Sequence, residues 1–202
     1  MTRTYAGQVG GSDYKQWFVS RTDGSDTVLA PLGVEAEPEI ATYVIQFAGI
    51  ALSTANSHIC QVMAGASLRV GIRRIVLWQV ANATSIALFQ YRLFRLTSAG
   101  TGGSSITPAA HDPAESAAGA TAMTLPSAKG TESTQVGHGR HLIHTTATTI
   151  GLPPQTWDFT KLRTKALWIA AGTSNGVALK NISSDSTATV DGFIEIVETA
   201  VA

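Results

Sequence analysis

Charge is scarce in this chain of 202 residues: Asp, Glu, Lys and Arg together make up 14%, against about 25% in an average soluble protein. The hydrophobic share, 44%, is ordinary, so Ala, Thr, Ser and Gly fill the gap. That composition suits strands and loops better than long helices. Lys plus Arg number 14 and Asp plus Glu number 14, so the excess of positive charge that draws a chain to nucleic acid is missing. A weakly charged, neutral surface also does little to keep copies apart, which points towards assembly. The single cysteine, Cys60, excludes an intrachain disulfide and a multi-cysteine metal site, and suits a small buried apolar position. No apolar run is long and unbroken enough to span a bilayer, and the first residues lack the apolar stretch of a signal peptide. A soluble, reducing compartment is therefore expected, with no membrane partner. The N-x-S/T triplets at Asn82 and Asn181 are then coincidental.

What the chain does contain is strand pattern. Residues 1–39 read as an irregular arm: one strand near "YKQWFVSR", a "TDGS" turn, then "APLGVEAEPEI" with no periodicity. From Ile40 to Ala202 one β domain is expected. Its strands are "IATYVIQFAGIAL", "HICQVMAG", "SLRVGIRRIVLWQV", "TSIALFQYRLFRL", and, after a long stretch poor in bulky residues, "RHLIHTTATTI", "KALWIAAG", "GVALKNIS" and "TATVDGFIEIVE". Residues 68–80 and 84–96, joined by "ANA", read as a hairpin. Short strands without a sustained 3.6-residue apolar period predict an all-β, two-sheet antiparallel sandwich, a jelly roll, with an up-and-down barrel as the alternative.

Two strands are apolar on both faces. Phe89, Tyr91 and Leu93 share one face of 84–96, while Ile86, Leu88, Phe94 and Leu96 occupy the other. In 68–80, Val70, Ile72, Val76 and Trp78 oppose Ile75 and Leu77. Such strands need cover on both sides. A β-bulge that switches the inward face, or cover by the arm or the long loop, would supply it; so would another subunit. Ile86, Leu88, Phe94 and Leu96, with Trp17 and Phe18 of the arm, are the candidate interaction residues. Arg69 and Arg73 share one strand face and Arg74 the other, a poor phosphate track better suited to salt bridges across the sheet.

The stretch "ITPAAHDPAESAAGATAM" brings His111, Asp112, Glu115 and Ser116 together. Asp112, Pro113 and Glu115 match a helix start, with an Asp cap, proline at the first helical position and a Glu reaching back to the cap amide. This predicts one short helix of about two turns, ending near Gly119, and explains the acidic pair without catalysis. Neighbours on a short surface helix do not supply the base and the orienting group that a serine nucleophile needs, so no catalytic residue and no cofactor are expected. His138, His141 and His144 are the remaining candidates for a metal site, but in a strand His138 and His144 point one way and His141 the other. "GTGGSS", Gly100 to Ser105, lacks the Lys-Ser or Lys-Thr of a phosphate loop and reads as a turn. Trp17, Trp78, Trp157 and Trp168 suit core or interface burial, or, if exposed, a sugar-stacking platform.

"LRVGIRRIVLWQV", the run to "YRLFRL", the insert "GTGGSSITPAAHDPAESAA" and the closing "GVALKNISSDSTATVDGFIEIVE" together resemble small jelly-roll virion proteins of tailed bacteriophages. The similarity spans roughly residues 40 to 200 and is one of pattern rather than of a strict signature. It implies a structural protein of the particle, of the capsid decoration or cement type. The expectation is then a homotrimer, assembled in the bacterial host cytoplasm, that binds the major capsid protein or other virion proteins. Residues 1–39 match nothing in that pattern and are expected to carry attachment. The competing readings are a glycan-binding adhesin of the tail or head fibre and a metal-dependent cupin-like enzyme.

Overall fold

A computed structural model describes residues 4–5, 17–23, 26–32, 40–146, 152–160 and 166–200, with side chains from residue 40 onward. The chain divides into two compact units, 1–39 and 40–202.

In the first unit, β1 (Thr4–Tyr5), β2 (Trp17–Asp23) and β3 (Asp26–Leu32) form an antiparallel sheet in that order. The stretch expected to be irregular thus contains a three-stranded sheet, with β2 and β3 paired from Trp17 opposite Leu32 to Asp23 opposite Asp26. Pro31 reads against a strand, but β3 is an edge strand, where the missing donor is tolerated. Trp17 and Phe18 lie on β2, and their side chains fall outside the described residues.

The second unit is an all-β sandwich. One six-stranded antiparallel sheet has the order β11 (Glu132–Ile143), β7 (Ala87–Leu96), β14 (Gly176–Asn181), β5 (His58–Met63), β10 (Thr121–Thr124), β8 (Ser104–Ile106). The other runs β12 (Gln155–Asp158), β6 (Leu68–Gln79), β15 (Thr189–Ala200), β4 (Thr42–Ala51), β9 (Ala109–Ala110), with β13 (Leu167–Ile169) following β12 along the same edge of β6. Between the sheets lies one continuous apolar core that includes Tyr43, Ile45, Ile59, Ile72, Leu77, Phe89, Tyr91, Leu93, Leu179 and Ile196. Cys60 sits in it with no exposure, and burial pushes its thiol up to about 12, which makes it unreactive.

A bulge reconciles the doubly apolar β6 with this core, whereas on β7 Leu96 packs with Met63 and Ala178 and Leu88 stays exposed. On β6 the inward residues are Val70 and Ile72, then Ile75 and Leu77. The register slips where Glu195 faces Arg74 and Ile196 faces Ile72, leaving Arg73 as the extra residue. Arg73 and Arg74 therefore both reach Glu195, at 3.4 and 3.1 Å, the cross-strand pairing expected of this arginine run. On β4, Tyr43, Ile45 and Phe47 point inward, then Ile50. The slip is taken up at Gly49, whose φ of +64° suits glycine and whose amide donates to Asp191 at 2.7 Å.

Residues 68–80 and 84–96 do not form the expected hairpin: β6 and β7 lie in different sheets. A two-residue hairpin turn needs positive φ, usually from glycine, and "ANAT" has none to offer. Instead the connection crosses the sandwich, with Ala83 buried and Thr84 bound to Asp185.

The expected helix at 112–119 is also absent. Its first turn does start, since Asp112 Oδ1 accepts from the Ala114 amide at 2.8 Å and the Glu115 amide bonds to the Asp112 carbonyl at 3.0 Å. It does not propagate, because the groups a helix would use are taken by tertiary partners. The Ser116 carbonyl accepts from the Tyr43 hydroxyl, and the Gly119 and Ala120 amides donate to Glu198 at 2.9 and 2.5 Å. Two turns of isolated helix carry too little free energy to resist this. The insert supplies strands instead: β8 and β10 extend one sheet and β9 the other, at the side away from β11 and β12. Glu198→Ala is expected to strand those amides and cost roughly 2 kcal/mol, with hydrogen exchange accelerated around Gly119 and Ala120. Unchanged exchange there would show that the carboxylate does not hold the insert.

Candidate interaction surface

The outer face of β7 and β11 carries the most distinctive surface of the sandwich. Of the five large apolar side chains left exposed among the described residues, Leu88 (59%) and Leu142 (42%) stand on it and Ile86 (57%) immediately precedes β7. Leu88 and Leu142 stand directly opposite each other; the next outward rows are Gln90 opposite Arg140 and Arg92 opposite His138. Arg92, Arg140 and His138 are exposed, and among the described residues neither guanidinium is hydrogen-bonded or ion-paired. An apolar end thus passes into a basic middle.

Beyond it the face is closed. Lys180 lies 5.1 Å over the Phe94 ring and binds Glu132 at 2.9 Å, and His58 Nε2 meets Glu132 Oε1 at 3.0 Å. Burial lowers the basicity of His58, and the Glu132 hydrogen bond and charge oppose this without offsetting it. Facing a carboxylate, Nε2 is the donor of this pair. For Glu132, burial would raise the pKa, but hydrogen bonds from Lys180 and His58 outweigh it and hold the carboxyl below its ordinary value. The long loop covers the neighbouring strands. Gln61 exchanges hydrogen bonds with the Gly100 backbone, Thr97 bonds to Thr131, and Thr101 pairs with Ala128. A Cβ on Gly130 would sit 2.2 Å from the Ser98 carbonyl, so this loop crossing requires glycine.

The candidates drawn from sequence separate accordingly. Ile86 and Leu88 are open and Phe94 is half-buried, but Leu96 is only 3% exposed, packed with Met63 and Ala178, and is unavailable to a partner. Sequence reasoning missed Leu142, Arg92, Arg140 and His138 as one surface. Its signal was the outward alternation His138, Arg140, Leu142, legible only once β11 is known to pair with β7. The three histidines do not converge. His141 is buried and its Nε2 donates to the Pro153 carbonyl at 3.0 Å, His138 is exposed, and His144 Nδ1 accepts from Thr146. Among the described residues no three His, Cys, Asp or Glu side chains group closely enough to hold a metal ion, and no helix is long and apolar enough to cross a membrane.

His111 is exposed and Ser116 turns outward, with the Asp112 carboxylate capping its own turn. Gly100 to Ser105 holds the loop crossing and the start of β8. Trp157 is buried; Trp78 is half-buried against Phe193, and Trp168 is half-buried beneath the Arg69 guanidinium, 4.4 Å from the ring centre. No family model matches this chain, and neither the curated proteins nor the solved structures yield a match.

Proposed function

We propose that this chain is a structural protein of a tailed-bacteriophage particle, a capsid decoration or cement protein that forms a homotrimer and binds across subunits of the major capsid protein. The observation that carries the reading is the exposed group of Ile86, Leu88 and Leu142 beside Arg92 and Arg140, which have no ion pair among the described residues. Such a face suits protein contact: apolar contact supplies affinity, the charges set orientation, and repetition over a lattice multiplies modest contacts. Within this reading the sandwich is a jelly roll. The order β4-β15-β6-β12 against β5-β14-β7-β11 supports it: the chain alternates between sheets at every step except β7 to β11 and the short β13, as two Greek keys require. The particle, assembled in the host cytoplasm, is then the protein's location.

Co-sedimentation with shells reconstituted from the major capsid protein of the same particle tests the proposal. The full chain is expected to pellet with shells, and a chain lacking residues 1–39 to stay folded yet remain in solution. Undiminished binding by the shortened chain would remove the attachment role of residues 1–39, and a full chain that never pellets would overturn the decoration reading.

A further inference from the structure

We infer that the sandwich associates head to tail with a second copy of this chain, the apolar and basic face of β7 and β11 on one copy receiving the acidic edge of the insert on the next. This deepens the self-association in the proposed function and rests on that part of it alone. On the receiving face Leu88 and Leu142 pair at the apolar end, and Arg92 and Arg140 in its middle have no ion pair among the described residues. Its complement lies at the other side of the same sandwich. The turn after β9 is tied to the outer edge of β4 by the His111 amide, which donates to the Thr42 carbonyl at 2.9 Å. This turn presents exposed Asp112 and half-exposed Glu115, and the strand it is tied to begins beside Ile40, an apolar side chain 46% exposed. Neither carboxylate is ion-paired among the described residues.

The two patches match in kind, cation to anion and apolar to apolar. They sit at opposite ends of the strand order, since β11 begins one sheet and β9 ends the other. Unlike patches on opposite sides of one subunit make a heterologous contact, which closes into a ring when the rotation per copy allows it. A two-fold contact of the β7–β11 face with itself would instead bring four arginines together. A polyanion would leave Leu88 and Leu142 unused, and the chain has no net positive charge with which to attract one.

Light-scattering mass across a dilution series, on the full chain, reads the contact directly. Arg92→Glu with Arg140→Glu reverses one patch, and Glu115→Lys with Ser116→Lys reverses the other. Arg92, Arg140 and Ser116 are exposed and Glu115 is half-exposed, and among the described residues none of the four side chains is hydrogen-bonded or ion-paired; unchanged thermal melting checks folding. The wild type is expected to be an oligomer whose dissociation midpoint rises with salt between about 0.05 and 1 M. Each paired variant should raise that midpoint by about 30-fold, and the combination of all four substitutions should recover most of the loss. A monomeric wild type, an oligomer indifferent to salt and to both variants, or a combination that recovers nothing would overturn the head-to-tail contact. The last result would mean that the two patches meet other parts of the neighbouring copy and not each other. Shell co-sedimentation of the same proteins keeps this outcome distinct, because a monomer that still pellets sinks the contact and leaves the decoration reading standing.

Discussion

Replacing Asp185 by alanine is expected to lower the unfolding free energy by roughly 3 kcal/mol at neutral pH, among the largest losses available from a single polar side chain here. Asp185 is only 7% exposed, and its carboxylate accepts from the Thr84 amide and hydroxyl, the Thr187 amide and hydroxyl, and the Ala188 amide. The Asp185 amide itself donates to the Leu52 carbonyl, and Leu52 in turn bonds to Ala188. Three connections, β4 to β5, β6 to β7 and β14 to β15, are therefore stitched at one residue. Alanine would leave several donors without an acceptor, and burial makes that costly.

The same geometry fixes a pH dependence. Burial by itself would raise the Asp185 pKa, but the hydrogen bonds from the Thr84 hydroxyl and the Thr187, Ala188 and Thr84 amides outweigh it and hold the carboxyl well below the usual carboxylate range. A group whose folded pKa is depressed contributes stability above its unfolded pKa, about 4, and loses it as the pH falls towards the folded value. Denaturant unfolding from neutral pH down into acid should show the wild type losing this increment below about pH 4, with the gap to Asp185→Ala narrowing. A gap that stays constant through acid would mean that the ionised carboxylate is not the source of the effect.

Trp157→Ala is expected to cost about 3–5 kcal/mol. Among the described residues β11 and β12 share no ladder, and Trp157 of β12 packs across that edge onto β11. The indole is 9% exposed, stands edge-on to Tyr91 at 6.2 Å and donates from Nε1 to the His138 carbonyl at 3.0 Å. It lies so close to β11 that a Cβ on Gly139 would fall 2.3 Å from its ring. Truncation removes the largest side chain of that edge and leaves a backbone carbonyl of β11 without its donor. Trp157→Phe, which keeps a ring but loses the donor, should cost less, about 1–2 kcal/mol. Equal losses for the two variants would show that the hydrogen bond rather than the packing closes the edge, and negligible losses for both would show that the edge is closed by other groups.

Local chemistry made part of this protein legible in its sequence. The alternation of Tyr43, Ile45 and Phe47 and of Phe89, Tyr91 and Leu93, without a helical period, was enough for strands and for two sheets facing a core. The inward switch on β6 was readable as a bulge because Val70 and Ile72 on one parity give way to Ile75 and Leu77 on the other. Asp112 was readable as a cap, but the continuation of its turn was not, because Tyr43 and Glu198, 69 and 86 positions away, claim the carbonyl and amides that a helix needs.

The same limit applies to the surface. Leu88 and Leu96 share one strand and one face, yet one is 59% exposed and the other 3%. What separates them is the long loop, Met63 and Ala178, all brought there by pairing between strands distant in sequence. Periodicity and composition are properties of neighbouring residues, so the sequence by itself determined that strands form, which residues seek a core, and that no disulfide can join them. Pairing partner, sheet membership and exposure depend on which edges meet after the loops close. Only the tertiary structure could therefore decide that β6 and β7 part company and that Leu88, Leu142, Arg92 and Arg140 share one open face.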